Sequence, residues 1–184
     1  TIVSEAGYIA GDENAHVLLA YVYKQLGDLD EERDSLILIA TQEGNRIEPV
    51  TRLLEIALEQ DDPPAVVQWS NAWIAIKPIA VEPWRALFTT HARFQNATEA
   101  IDTGKVLLEL DPPDIAMVHY QLARQHQGKK PETARRHVLM ALEEAPRFRL
   151  AYELLHDLNK RQTRSKSIAK PTLINDALRE ATRL

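Results

Sequence analysis

The sequence predicts an all-α fold, an α-solenoid in which antiparallel helix pairs stack copy upon copy. Two observations carry that expectation. Apolar hexamers that stop on proline recur every 34 residues: WIAIKP ends at Pro78, LLELDP at Pro112 and ALEEAP at Pro146. No segment alternates strictly between apolar and polar residues as a half-buried strand would, and no Asn-Gly hairpin turn is present.

The period holds beyond the prolines. With each proline at position 32 of a copy, copies begin at Glu13, Ile47, Val81 and Ile115, and Gly44 stands where the first copy would have proline. Position 4 then holds His16, Val50, Trp84, Val118 and, in a partial fifth copy, Tyr152. Position 7 holds Leu19, Leu53, Leu87, Gln121 and Leu155. Position 8 holds Ala20, Leu54, Phe88, Leu122 and His156. Position 20 holds Glu32, Val66, Ala100 and Ala134, and position 27 holds Ile39, Trp73, Leu107 and Ala141.

Each copy reads as two helices. DENAHVLLAYVYKQLG has an N-cap candidate in Asp12, apolar residues at 17, 18, 21 and 22, and Gly27 to close it. DLDEERDSLILIATQEG opens with acids that suit the helix dipole, so Glu31 and Glu32 read as solvated first-turn residues, as Glu143 and Glu144 do at the end of another helix. In the second copy one helix starts at Glu48-Pro49, and DDPPAVVQW starts the next with proline in its first turn. The third copy breaks at QNATEA, where Asn96-Ala97-Thr98 has the form of a glycosylation sequon and reads as a turn and cap. The fourth breaks at QGKKPET. RFRLAYELLHDLNKR begins a fifth pair, QTRSKSIAK reads as a basic loop, and PTLINDALREATRL as a final amphipathic helix that caps the array. A membrane-surface or nucleic-acid patch is the rival reading of this tail.

A 34-residue helix–turn–helix unit with Trp84-x2-Leu87, small residues at Ala100, Ala134 and Ala141, and prolines at 112 and 146 resembles the tetratricopeptide repeat. Ala20, Tyr23 and Gly27 match it in the first copy. The resemblance covers 13–161 and implies a right-handed superhelix of about 10–11 helices. It divides the chain into an N-terminal segment of an upstream region (1–12), a body at 13–146 of four repeats (13–46, 47–80, 81–114, 115–148), and a remainder at 147–184 holding a partial fifth repeat, the loop and the cap. The second copy departs most. Val66 and Trp73 replace both small residues, so its helices are expected to sit wider apart or tilt differently.

The run from Leu107 to Leu155 also resembles repeat arrays that follow a zinc-peptidase-like domain in some bacterial proteins, planctomycete ones among them. That resemblance implies an accessory domain of a larger protein, with a location in the bacterial cell envelope. The chain starts at Thr1 rather than Met, which fits a cut point.

Charge and chemistry narrow the function. Residues 1–146 carry 13 Lys and Arg against 23 Asp and Glu, whereas 147–184 carry 9 against 4. The acidic body argues against nucleic acid as a partner. No stretch is long and apolar enough for a transmembrane helix. Cysteine is absent, which removes disulfides, thiolate metal sites and cysteine nucleophiles. No HExxH, phosphate-cradling glycine loop or GxSxG occurs. His119 and His126 share a helix face, but no third ligand has the spacing to complete a metal site. Trp69, Trp73 and Trp84 read as core between repeats rather than a ligand cage. No catalytic residue, cofactor or metal is therefore expected.

The expected function is non-catalytic binding of a protein or peptide, with self-association into a homo-oligomer or a purely structural spacer as alternatives. In the repeat family the first helix of each pair lines a concave groove. Here that face collects Asn14, Val17, Tyr21, Lys24, Arg52, Glu55, Arg85, Thr89, Arg93, His119, Tyr120 and His126. Arg and Tyr are interface-anchoring residue types. The Lys and Asn clamp by which some family members hold a C-terminal carboxylate is not reproduced, since its positions hold Thr51, Glu55, Glu82 and Ala86.

Overall fold

The computed structural model describes residues 12–42, 44–94 and 96–163. Among them are nine helices and no strand: α1 (Asp12–Leu26), α2 (Leu29–Gln42), α3 (Ile47–Glu59), α4 (Pro63–Ile76), α5 (Val81–Arg93), α6 (Ala97–Glu109), α7 (Ile115–His126), α8 (Pro131–Glu144) and α9 (149–163). The all-α expectation is met. The segment before residue 12, the basic loop from Arg164 on and the proposed capping helix lie outside the described residues; Gln162 and Thr163, expected to open that loop, instead continue α9. The chain forms two compact units, residues 1–94 and 95–184.

The helix starts keep the period. First helices of pairs begin at Ile47, Val81 and Ile115, and α9 follows at 149; second helices begin at Leu29, Pro63, Ala97 and Pro131. Local chemistry fixes these ends. Pro63 and Pro131 sit in the first turns of α4 and α8, where no intrahelical N–H is required. The Asp62 carboxylate accepts from Ala65 N–H at 3.2 Å and caps α4. Gly27, at φ 80°, ends α1 in the left-handed region. The equivalent residue one copy later is Asp61, at φ 52°, a residue type that tolerates this conformation.

In the first unit α2 packs between α1 and α3, and α4 between α3 and α5. Their shared core is built on Leu36, Ile39, Leu53, Leu54, Ile56, Val66 and Trp69, with Trp73 packed partly buried against it. In the second unit α7 packs against α6 and α8. Ala123, Ala134, Val138, Ala141, Ala151, Leu154 and Leu158 form one cluster there, through which α9 joins the unit. Position 8 is buried in all four full copies.

Two positions explain the periodic sequence further. Trp84 is only partly buried; its Nε1–H donates to the Pro78 carbonyl at 2.8 Å, and in the fifth copy the Tyr152 hydroxyl donates to the Pro146 carbonyl at 3.1 Å. The same position thus ties a helix start to the proline that ends the preceding copy. In the second copy, Ser70 supplies a small, wholly buried side chain one turn before Trp73. Both the Ser70 hydroxyl and Trp73 Nε1 are buried without a hydrogen-bond partner.

Ala100 and Ala134 are fully buried at position 20. Introducing Leu at Ala134 overpacks that contact, and urea denaturation of Ala134→Leu is expected to show a loss of roughly 1–3 kcal/mol. Ser70→Ala removes an unsatisfied buried hydroxyl, so the same assay is expected to show a gain of about 1 kcal/mol. A loss would mean that the hydroxyl has a partner.

Candidate functional site

A concavity of the first unit lies between α1, α2 and the start of α3. It has a volume of about 270 Å³. Val17, Ala20, Leu36, Ile39 and Pro49 supply its apolar wall, and Tyr21, Lys24, Glu32 and Arg52 its polar groups. Tyr21 is half exposed, so the ring is open to a partner.

Glu32 changes the reading of this site. The sequence pattern placed it in a solvated first turn; instead it is 1% exposed. Position 20 faces the partner helix, and the other copies fill it with Val66, Ala100 and Ala134. An unpaired carboxylate there would carry a large desolvation penalty. Arg52 meets it with a two-point contact, Nε to Oε1 at 2.7 Å and Nη2 to Oε2 at 3.0 Å. The remaining Nη1 reaches Glu55 at 3.1 Å and Glu59 at 3.5 Å. The hydrogen bond to Glu32, with the help of Glu55 and the nearby charges, raises the Arg52 pKa despite opposing desolvation. Arg52 is thus a fixed charge in the cavity wall, and Glu55 stands half exposed beside it.

Thr89 and Arg93 line a second, smaller cavity of about 100 Å³ with Asp61, Asp62 and Val66. Arg93 makes a two-point ion pair with Asp61, one contact at 2.8 Å, and its guanidinium lies 5.4 Å from the Phe94 ring centre. Both partners of that pair are exposed, so solvent screens it and it adds little to stability. Arg85 is partly buried in α5. The side chain of Asn14 is not among those described.

In the second unit the candidates fall differently. Tyr120 packs its ring on Phe148 at 5.1 Å. His119 and His126 do not stand free along α7. His119 Nδ1 lies 3.0 Å from Nδ1 of His137 on α8, and His126 stacks on His137 with ring centres 5.7 Å apart and planes 3° apart. His126 is buried, at 8% exposure. Among the described residues no group of three or more His, Cys, Asp or Glu side chains is arranged to hold a metal ion, and no helix is long and apolar enough to cross a membrane.

Two contributors escaped the sequence pattern: Glu32 and His137, both on second helices. Glu32 had left a signal, an acid in a position otherwise filled by small or apolar residues.

The architecture has solved counterparts. MamA from Desulfovibrio magneticus RS-1 superposes with a TM-score of 0.67 at 16% identity, over 88% of this chain and 92% of that one. A tetratricopeptide repeat protein from Parabacteroides merdae gives 0.58 at 16% identity, over 86% and 62%. PilF of Pseudomonas aeruginosa gives 0.56 at 15% identity, over 83% and 69%. This is the tetratricopeptide-repeat fold. No family model matches the chain, and no curated protein does. At these identities the likeness is one of fold, and the resemblance of residues 107–155 to peptidase-linked arrays gains nothing from it.

Within this fold Arg52 has a structural duty that can be measured apart from binding. Arg52→Ala leaves a buried carboxylate unpaired and is expected to cost about 3–5 kcal/mol in urea denaturation. Glu32→Ala combined with Arg52→Leu converts the position to the apolar type used by the other copies, and is expected to recover most of that loss. If the double variant were no more stable than Arg52→Ala, the burial of Glu32 would not be the cause.

Proposed function

We propose that this chain is a non-catalytic binding scaffold and that the cavity between α1, α2 and α3 receives a side chain of a peptide segment from a protein partner. The observation that carries this reading is the combination of an apolar wall with an exposed Tyr21 and a guanidinium locked in place by Glu32. A pocket of about 270 Å³ is below the roughly 300–1,000 Å³ of small-molecule and cofactor sites. It suits one or two apolar side chains. Binding to a pre-formed pocket spares the ordering cost that a mobile arginine would add.

The Thr89–Arg93 cavity, which Asp61 and Asp62 also line, draws on α3 as well, through Ala57 and Leu58. Its exposed ion pair is weak, so a carboxylate on a partner can exchange with Asp61 at little cost. The preferred ligand is therefore a segment with an apolar anchor and an acidic residue nearby. The fold neighbours support a scaffold reading by analogy of architecture alone.

The test is selection from a random peptide library displayed on phage, followed by affinity measurement with the purified chain. Wild type is expected to enrich sequences with an apolar anchor. Tyr21→Ala sits on the exposed rim, so the fold is retained, and it is expected to weaken the selected peptides about tenfold, or about 1.4 kcal/mol. Unchanged affinity in Tyr21→Ala together with Lys24→Glu would remove this cavity from the binding surface.

A further inference from the structure

We propose that the His119–His137–His126 stack is an acid-released latch that holds α7 against α8. The geometry carries it. Three imidazoles from two helices touch in sequence: His119 and His137 have ring centres 5.3 Å apart and Nδ1 atoms at 3.0 Å, and His137 lies parallel to His126. Histidine at these positions is not needed to fill space alone, since Val138 and Ala141 already supply the apolar core of α8.

The Nδ1–Nδ1 contact has a defined proton requirement. One ring donates its Nδ1–H and the other accepts at a bare Nδ1. With both rings neutral the bond forms. A single added proton also leaves it intact, because an imidazolium N–H still donates to a neutral nitrogen. A second proton gives two N–H groups facing each other, and the contact becomes repulsive. The latch therefore tolerates one proton and not two.

The surrounding charges set the order. Glu143 and Glu144 on α8 favour the charged form of His119, although burial outweighs them and its pKa is lowered. His126 is lowered by burial, then by Lys130 before α8 and Lys105 on α6. His137 is lowered to about 4 by burial and by its two imidazole neighbours, His119 and His126. His119 accordingly takes the first proton and His137 resists the second. The unfolded chain binds these protons near pH 6.5, so folding stability is full above that pH and is lost as pH falls from 6.5 towards 4.

Two measurements on the full chain test this. In the first, amide hydrogen exchange is followed at pH 7.5 and 4.5 and corrected for intrinsic rates. The opening equilibrium of α7 and α8 is expected to rise on the order of tenfold or more, as a depression of one pKa unit or more requires. The rise in α3 and α4, which hold no histidine, is expected to be much smaller. In His137→Phe, which keeps a ring against His126 but cannot be protonated, the acid-induced rise in α7 and α8 is expected to shrink severalfold, to the part that burial of His119 and His126 contributes. The second measurement needs no variant: an NMR titration of the histidine side chains of the wild-type chain. His137 is expected to titrate last, well below 6.5, with an inflection that also appears in the His119 signal. Three independent titrations near 6.5, or equal acid-induced opening in wild type and His137→Phe, would overturn the latch.

Discussion

The close crossing of the second helix of a pair with the first constrains everything else in this chain. Crossing helices at short range leaves room for only a small side chain at the point of contact. Position 20 meets this with Ala100 and Ala134, both with no exposure. The two copies that depart from alanine show what the constraint costs. The second puts Val66 at position 20 and Trp73 at position 27, and reduces position 24, one turn before the tryptophan, to Ser70. The same exchange runs along positions 24 and 27 of the last three copies: Ser70 with Trp73, Gly104 with Leu107 and Val138 with Ala141. The first copy, with Leu36 and Ile39, holds two large side chains there and does not follow it.

The first copy departs more radically, and its departure creates the site. Glu32 brings a charge into a position built for a methyl group. Only a geometrically matched cation makes that tolerable, and the planar guanidinium of Arg52 offers two parallel donors to the two carboxylate oxygens. The pair adds little net stability over an apolar pair. What it provides is a guanidinium held in one orientation at the wall of a cavity. A structural irregularity in the repeat and a candidate recognition element are thus the same two residues.

Much of this was legible in the sequence. The helix starts at Pro63 and Pro131, the stop at Gly27 and the 34-residue spacing are local signals, and local signals survive translation into structure. Tyr21 and Arg52, both picked out by their register on first helices, line one cavity. Glu32 did not, because an acid in a helix's first turn satisfies the dipole whether it is solvated or buried. Only its comparison with Val66, Ala100 and Ala134 at the same position distinguishes the two cases. His137 was invisible for a different reason. Its contact with His119 bridges two helices, and depends on the crossing of α7 with α8 and on side-chain rotamers. Neither is encoded in spacing along one helix.

The two arginine–carboxylate pairs of the first unit show why burial, not residue type, decides what each can do. Arg52 with Glu32 and Arg93 with Asp61 share the same two-point chemistry. Glu32 is walled off from water, so Arg52 cannot turn to another acid without stranding a charge. Asp61 is 60% exposed, and water takes over its hydrogen bonds as soon as Arg93 leaves. A partner's acid therefore competes for Arg93 against solvent-screened attraction, and for Arg52 against the full penalty of an unpaired buried carboxylate. On the proposed reading, recognition through Arg52 uses it in place, as a fixed polar edge beside an apolar pocket, and recognition through Arg93 proceeds by exchange. The first unit would thereby combine a rigid contact, which favours selectivity, with an adaptable one, which costs little to engage.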